Sequence, residues 1–198
     1  MTKPPVSDER RPANDGPKAA ARNRTALVAA AREIYAEHGL DAPLSAIARR
    51  AGVGQGVLYR HFPDRDAVAG AVLEENVRQI ERAAAAPDAT SESVLGVLTW
   101  HLTESAAFIS LLCVDGTGRG SRNLAYATAL SERVERALDG HLPDSAGVPL
   151  RETSDLMLAV AMVSGAVTGP TREQRERRAL AAWRLLGVTV GPVHSFDE

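Results

Sequence analysis

The chain has a single cysteine, Cys113, among 198 residues, which excludes an internal disulfide and any cysteine-rich metal site. Cys113 follows Leu111 and Leu112, so its first reading is a small buried hydrophobe rather than a reactive thiol. The five histidines, at 38, 61, 101, 141 and 194, form no His-x-x-His pair, and no structural metal is expected. No early apolar run resembles a signal peptide, and none reaches the length of a membrane-spanning helix. The expected setting is therefore soluble and cytoplasmic. There is no nucleophile-elbow sequence and no acid–base group that stands out, so the chain is not expected to be an enzyme; neither catalytic residues nor a cofactor are expected. Aromatic residues are scarce, at 4%, and no strand-period alternation competes with helical spacing.

What remains is a 44% apolar composition dominated by small and straight-chain side chains, which favours an all-α fold of closely packed helices. The net charge of −2 hides a division. Residues 1–65 contain 11 Lys and Arg against 7 Asp and Glu, a balance of +4; residues 66–198 contain 12 against 18, a balance of −6. A basic head on an acidic body suits phosphate binding at one end, because counterion release rewards local positive charge.

Residues 1–17 hold four prolines among polar residues and read as a disordered tail. A first helix is expected from Lys18 to His38, with Leu27, Ala30, Ala31 and Ile34 on one face and Gly39 as its stop. Leu44, Ile47, Ala48 and Ala51 mark a short second helix ended by Gly52. A third covers Gln55–Phe62, with Leu58 and Phe62 turned to the core. Asp64 is placed to cap a fourth helix over Arg65–Ala86, its inner side formed by Val68, Val72, Leu73, Val77 and Ile80. Further helices are expected over Val94–Leu112, Asn123–Leu138, Ser154–Thr168 and Thr171–Leu186. The Ser154–Thr168 segment is apolar on nearly every side and must be covered all round. The domain division that follows is 18–65 for an N-terminal three-helix head and 66–198 for a C-terminal helical body.

A short helix, a glycine turn and a second short helix make a helix-turn-helix, whose second helix presents its N-terminal side chains to the major groove. The residues are more specific than the spacing. Ala48-x-x-Ala51-Gly52-Val53-x-x-Gly56-x-Leu58-Tyr59-x-His61-Phe62 resembles the signature of the tetracycline-repressor (TetR) family, and the likeness runs from about Leu27 to Leu73. It implies a three-helix DNA-binding head joined through a long fourth helix to a variable helical domain that binds ligands and dimerises.

Within the motif, Gln55 can pair bidentately with adenine, and Gly56 lets the backbone lie close to the DNA. Val57 stands where the family usually has Thr, which replaces a phosphate hydrogen bond by apolar contact with a thymine methyl. Tyr59 and His61 match residues that contact phosphates in the family, and Arg60 can reach a guanine or the backbone. Arg65 matches a family Lys that grips phosphate, with Arg24, Thr25 and Ser45 as further phosphate candidates. Ala42-Pro43 departs from the family, which often has a capping Ser or Thr there.

For the body, Trp100, His101, Glu104, Phe108, Leu111, Cys113, Tyr126, Met157 and Met162 are the expected ligand-pocket lining. Leu156, Val160, Val163, Val167, Leu180, Trp183 and Leu186 are the expected dimer interface. The glycine-rich stretch Asp115–Ser121 meets neither dinucleotide nor P-loop spacing and reads as a connection. The expectation is a ligand-responsive regulator, a repressor by family inference, binding a palindromic double-stranded operator as a homodimer and released by a small-molecule effector. The alternatives are a helical DNA-binding or interaction protein without a small ligand, and an enzyme using the C-terminal pocket.

Overall fold

The computed structural model describes residues 16–104, 120–143 and 150–196, with side chains of the helix that begins at Gly120 described from Tyr126 onward. Of the expected pocket lining, Phe108, Leu111 and Cys113 lie outside the described residues. So do the tail up to residue 15 and most of the Asp115–Ser121 connection.

Eight helices are present among the described residues: α1 Gly16–His38, α2 Leu44–Arg50, α3 Gln55–His61, α4 Arg65–Ala84, α5 Ser91–Glu104, α6 Gly120–Leu138, α7 Thr153–Ala166 and α8 Arg172–Leu185. The all-α architecture follows the sequence pattern, and most boundaries fall within two residues of the expected ones. Local chemistry explains several ends. Asp64 accepts a hydrogen bond from the Ala67 amide at 2.8 Å and so caps α4. The Asp155 carboxylate accepts from the Glu152 amide while the Glu152 side chain caps in return, which satisfies two otherwise orphaned N–H groups at the start of α7. Thr171 caps α8 by accepting from the Gln174 amide.

Two apolar cores organise these helices. The first joins Leu27, Ala31, Ile34 and Tyr35 of α1 to Ile47, Leu58 and Phe62 of the helix-turn-helix and to Val68, Ala69, Ala71 and Val72 of α4. The head's core thus runs past residue 65 into α4, because three short helices need the apolar side of a fourth to close over them. The second joins Ile80 and Ala83 at the far end of α4 to α5, α6, α7 and α8, around the fully buried Leu95, Leu138, Leu156, Val163 and Trp183. α4 therefore belongs to both.

The second core is closed by an element that helical periodicity does not reveal. After α8 the chain runs back across α5: the Gly191 amide donates to the Glu92 carbonyl at 2.9 Å, and Val188 is buried. The crossing requires Gly96. A Cβ there would come within 2.4 Å of the Pro192 carbonyl oxygen, inside any tolerable contact.

Trp183 anchors α8 by donating from Nε1 to the Thr99 hydroxyl at 2.9 Å. Such a buried, satisfied bond contributes about 0.5–1.5 kcal/mol, but leaving either partner unpaired costs more.

This packing corrects the expected dimer interface. Leu156 and Val163 are wholly buried, Trp183 is 1% exposed, and Val160 and Val167 are also inside the protomer. That stripe faces the second core because it is the side on which α7 meets α8 and α6. The opposite side of α7 carries Leu158 at 63% and Met162 at 56% exposure, so α7 is not covered all round within one chain. Leu180 and Leu185 are the exposed apolar side chains of α8, while Leu186 packs against the core.

Candidate nucleic-acid interface

The helix-turn-helix is held from below and from the side. Leu58 and Phe62 sink into the head's core, 1% and 2% exposed, so the opposite side of α3 points outward. Between α2 and α3 the chain turns at Gly52, whose φ of 68° lies in the left-handed region that an L side chain rarely adopts. Arg50, at the end of α2, donates to Glu33 at 2.5 Å and to Glu37 at 3.0 Å on α1. Glu33 and Glu37 are one turn apart, so one guanidinium reaches both. The hydrogen bonds from Arg50 hold the Glu37 carboxyl below the usual carboxylate range.

Arg65, an expected phosphate contact, is placed against the loop between α1 and α2. Its guanidinium donates to the Leu40 and Ala42 carbonyls, the latter at 2.7 Å, and is half-buried. It closes the loop between α1 and α2, whose carbonyls lie beyond any helical ladder and need donors.

The outward surface of α3 is formed by Gln55, Gly56, Tyr59 and Arg60, all exposed, with Tyr59 at 54%. Val57 and His61 are half-buried at its flanks, and the His61 ring lies tilted against Phe62. Arg60 bends along its own helix to donate from Nε to the Gly56 carbonyl at 3.1 Å. Arg24, on α1, stands over the Phe62 ring at 5.0 Å from its centroid, which seats a cation beside the end of α3. Thr25 donates to the Ala21 carbonyl at 3.2 Å, and Ser45 is exposed at the start of α2. Neither Pro43 nor Gly54 caps its helix with a side chain.

Electrostatically this surface has one sign. Residues 42–63 contain no Asp or Glu, and Arg24, Arg49 and Arg60 make no ion pair among the described residues. Arg49 escaped the sequence reading, since Arg49 and Arg50 are indistinguishable there. Adjacent helical positions point about 100° apart, so only one of them can meet Glu33 and Glu37.

These are the features of a helix-turn-helix that presents its second helix to DNA, and the sequence comparison decides the family. Residues 27–72 match the profile described as bacterial regulatory proteins, tetR family. The head is a TetR-family DNA-binding domain. No curated protein matches the sequence. Among solved structures, the TetR transcription regulatory protein from Mycobacterium vanbaalenii is 27% identical, with 88% of this chain and 99% of that one covered and a TM-score of 0.51. A TetR transcriptional regulator from Streptomyces coelicolor is 23% identical over 84% and 99% of the two chains, with a TM-score of 0.52. The regulator FadR from Bacillus subtilis, solved with stearoyl-CoA, is 18% identical over 84% and 99%, with a TM-score of 0.54. The protein is thus a transcriptional regulator whose DNA-binding helix-turn-helix is of the TetR family.

In this regulator's body the expected pocket residues disperse. Trp100 is half-buried and meets His101 edge-on at 4.8 Å, and the His101 ring is buried with neither nitrogen hydrogen-bonded among the described residues. Burial, reinforced by the nearby Arg32 cation, pushes the His101 pKa down to about 3, so its ring is neutral at ordinary pH. Glu104 pairs with Arg172 at 2.6 Å. Met157 packs against the second core, whereas Met162 points out on the far side of α7 and leaves the set. Tyr126 donates its hydroxyl to the Gly70 carbonyl at 3.0 Å and ties α6 to α4. A shallow cleft of about 350 Å³ between α4 and α6, lined by Glu81, Arg133, Arg136, Asp139 and His141 among others, uses none of the expected pocket residues. Among the described residues no helix is long and apolar enough to cross a membrane, and no group of three His, Cys, Asp or Glu residues could hold a metal ion.

Proposed function

We propose that the protein is a homodimeric, ligand-responsive repressor that binds a palindromic operator through its paired α3 helices and is released by a small-molecule effector. The observation that carries this reading is the carboxylate-free, outward side of α3, where Gln55, Gly56, Tyr59 and Arg60 stand exposed over an apolar core that fixes their direction. Gln55 and Arg60 are the base readers; Tyr59, His61, Arg24 and Arg49 contact phosphates, with Thr25 and Ser45 beside them and Val57 against a thymine methyl.

One such head reads only a few base pairs, so a two-fold partner is needed, with half-sites about one helical turn, roughly 34 Å, or a multiple apart. The surface for that partner is the outer side of α7. Leu158, Ala161, Met162 and Gly165 are exposed at i, i+3, i+4 and i+7, a continuous apolar stripe with small residues that permit close approach. Leu180 and Leu185 of α8 extend it. A monomer in sedimentation at micromolar concentration would overturn this assignment.

The effector is placed in the body, against Trp100, His101, Glu104 and Met157. A ligand there acts by favouring one arrangement of head on body, and α4, shared by both cores, is the lever. The FadR structure with stearoyl-CoA supports the idea that this fold can house a ligand. Selection of bound fragments from a genomic DNA pool with the purified protein tests the reading. Recovered palindromes support it, and failure to enrich any sequence overturns it.

A further inference from the structure

We propose that Arg32, Asn76 and Trp100 form a latch that sets the angle at which the head is carried on the body, making Arg32 a positioning residue for DNA reading. Arg32 projects from α1, in the head. Its Nη2 donates to Asn76 Oδ1 of α4 at 3.0 Å, and its guanidinium stands 5.3 Å from the centroid of the Trp100 ring on α5. Three helices from both parts of the molecule meet at one cation.

The location makes the contact consequential. The head's core runs down α4 as far as Val72 and Leu73, and the body's core takes up again at Ile80. In between, α4 buries Asn76, Val77 and Gln79, none of them part of either core, and Arg32 and Trp100 belong to neither core as well. The two apolar cores are thus separate at this level, and the Arg32 contact joins α1 of the head to α4 and α5 there. Asn76 is 5% exposed, so its hydrogen bond with Arg32 is shielded from solvent. A cation over an indole face is directional in the same way. Two directional contacts at right places on α4 and α5 define an orientation, which undirected apolar contact does not.

On the far side α4 is clamped to α6, by Arg133 to Glu74 and Glu81 and by Tyr126 to Gly70. Arg32 is therefore where the head can shift while α4 and α6 stay together. Because Trp100 also belongs to the lining proposed for the effector, a ligand that displaces its ring acts on Arg32 directly. This last step rests on the proposed function; the latch itself does not.

The test is a distance measurement that needs neither DNA nor effector. Spin labels at Ala29→Cys on α1 and Glu132→Cys on α6, in a Cys113→Ser background diluted with unlabelled protein, report the head-to-body distance by electron–electron double resonance. In Arg32→Met the distance distribution broadens or moves, and Arg32→Lys, which keeps a donor and a cation, restores it. A distribution unchanged in Arg32→Met overturns the latch; if that variant fails to fold, Trp100→Leu is read in the same way. On DNA, unlabelled Arg32→Met loses about tenfold in its preference for the selected palindrome over one with its half-sites moved apart by two base pairs. If the wild type selects no DNA at all, the regulator reading fails while the distance measurement still decides the latch.

Discussion

Two arginine-bearing stretches of this chain use their charge in opposite ways. The α8 helix begins with Arg172, Arg175, Arg177 and Arg178 within seven residues, a denser run than anything in the helix-turn-helix. Yet Arg172 is taken by Glu104 and Glu176, Arg178 donates to the Thr168 hydroxyl, and Arg175 is buried with its guanidinium on the Thr103 and Gly169 carbonyls. From Ala42 to Pro63 there are only three arginines, but no carboxylate lies among them, and Arg49 and Arg60 are without an ion pair among the described residues. Arginine density does not mark the DNA surface. Nor does freedom from an ion pair alone, since Arg177 is exposed on α8 without one among the described residues; what marks the surface is unpaired arginine with no carboxylate in the same stretch, whereas α8 carries Glu173 and Glu176 beside its arginines.

The largest expected effect comes from removing the two base readers together. Gln55→Ala with Arg60→Ala lowers affinity for the selected operator by at least about thirtyfold, each bidentate contact carrying roughly 1–3 kcal/mol of discrimination. Fluorescence anisotropy measures this, with sedimentation showing the dimer intact. The matching pair in α8, Arg172→Ala with Arg178→Ala, leaves operator affinity within about twofold. Equal losses in both pairs would break the comparison.

Stability should show the reverse. Arg175→Met takes a donor from the buried Thr103 carbonyl and the part-buried Gly169 carbonyl and costs about 2–4 kcal/mol, a fall of roughly 4–16 °C in Tm for a chain of this size. Arg60→Ala, on an exposed helix surface, changes stability by less than about 0.5 kcal/mol. Thermal unfolding followed by circular dichroism separates the two.

These roles were unevenly legible in the sequence. The helix-turn-helix was readable because its glycine turn, short apolar spacing and Asp64 cap are local signals that the tertiary structure does not override. The α7 helix was not, since a segment apolar on every side has no periodicity to say which side faces its own core. Leu156 and Leu158 are alike in sequence, yet one is wholly buried and the other 63% exposed. The loop contacts of Arg65 were hidden for a related reason: the carbonyls it holds, at Leu40 and Ala42, lie 25 and 23 positions away. The tail across Gly96 carries no helical pattern at all, and only the backbone approach of Pro192 explains that glycine.

A pH effect sharpens the contrast from within the body. His101 is buried neutral, its pKa pushed down to about 3 by desolvation and then by Arg32, while in the unfolded chain it titrates near 6.5. Between these values the unfolded chain binds the extra proton. Stability from this group is therefore complete above about pH 6.5 and declines as pH falls toward 3. From pH 6.5 to 5 the loss is roughly 2 kcal/mol. In His101→Phe that part of the decline disappears. A variant with the same slope as the wild type in urea titrations at these two pH values would show that another group carries the effect.

The smallest expected effect tests whether the unpaired cations do what their isolation allows. A lysine or arginine that neutralises one phosphate contributes about 0.9 to the slope of log affinity against log salt concentration, whatever the DNA sequence. Arg49→Ala and Arg24→Ala should each reduce the slope by about that amount, and weaken operator and unrelated DNA equally, because phosphate contacts carry no base information. Arg24 has the firmer claim, held beside α3 by the Phe62 ring. Arg184→Ala, exposed on α8 in the body, serves as the matched control and should leave the slope unchanged. If Arg184 altered the slope and Arg49 did not, the positive surface would extend over α8, and the lack of carboxylates around an unpaired cation would no longer locate it.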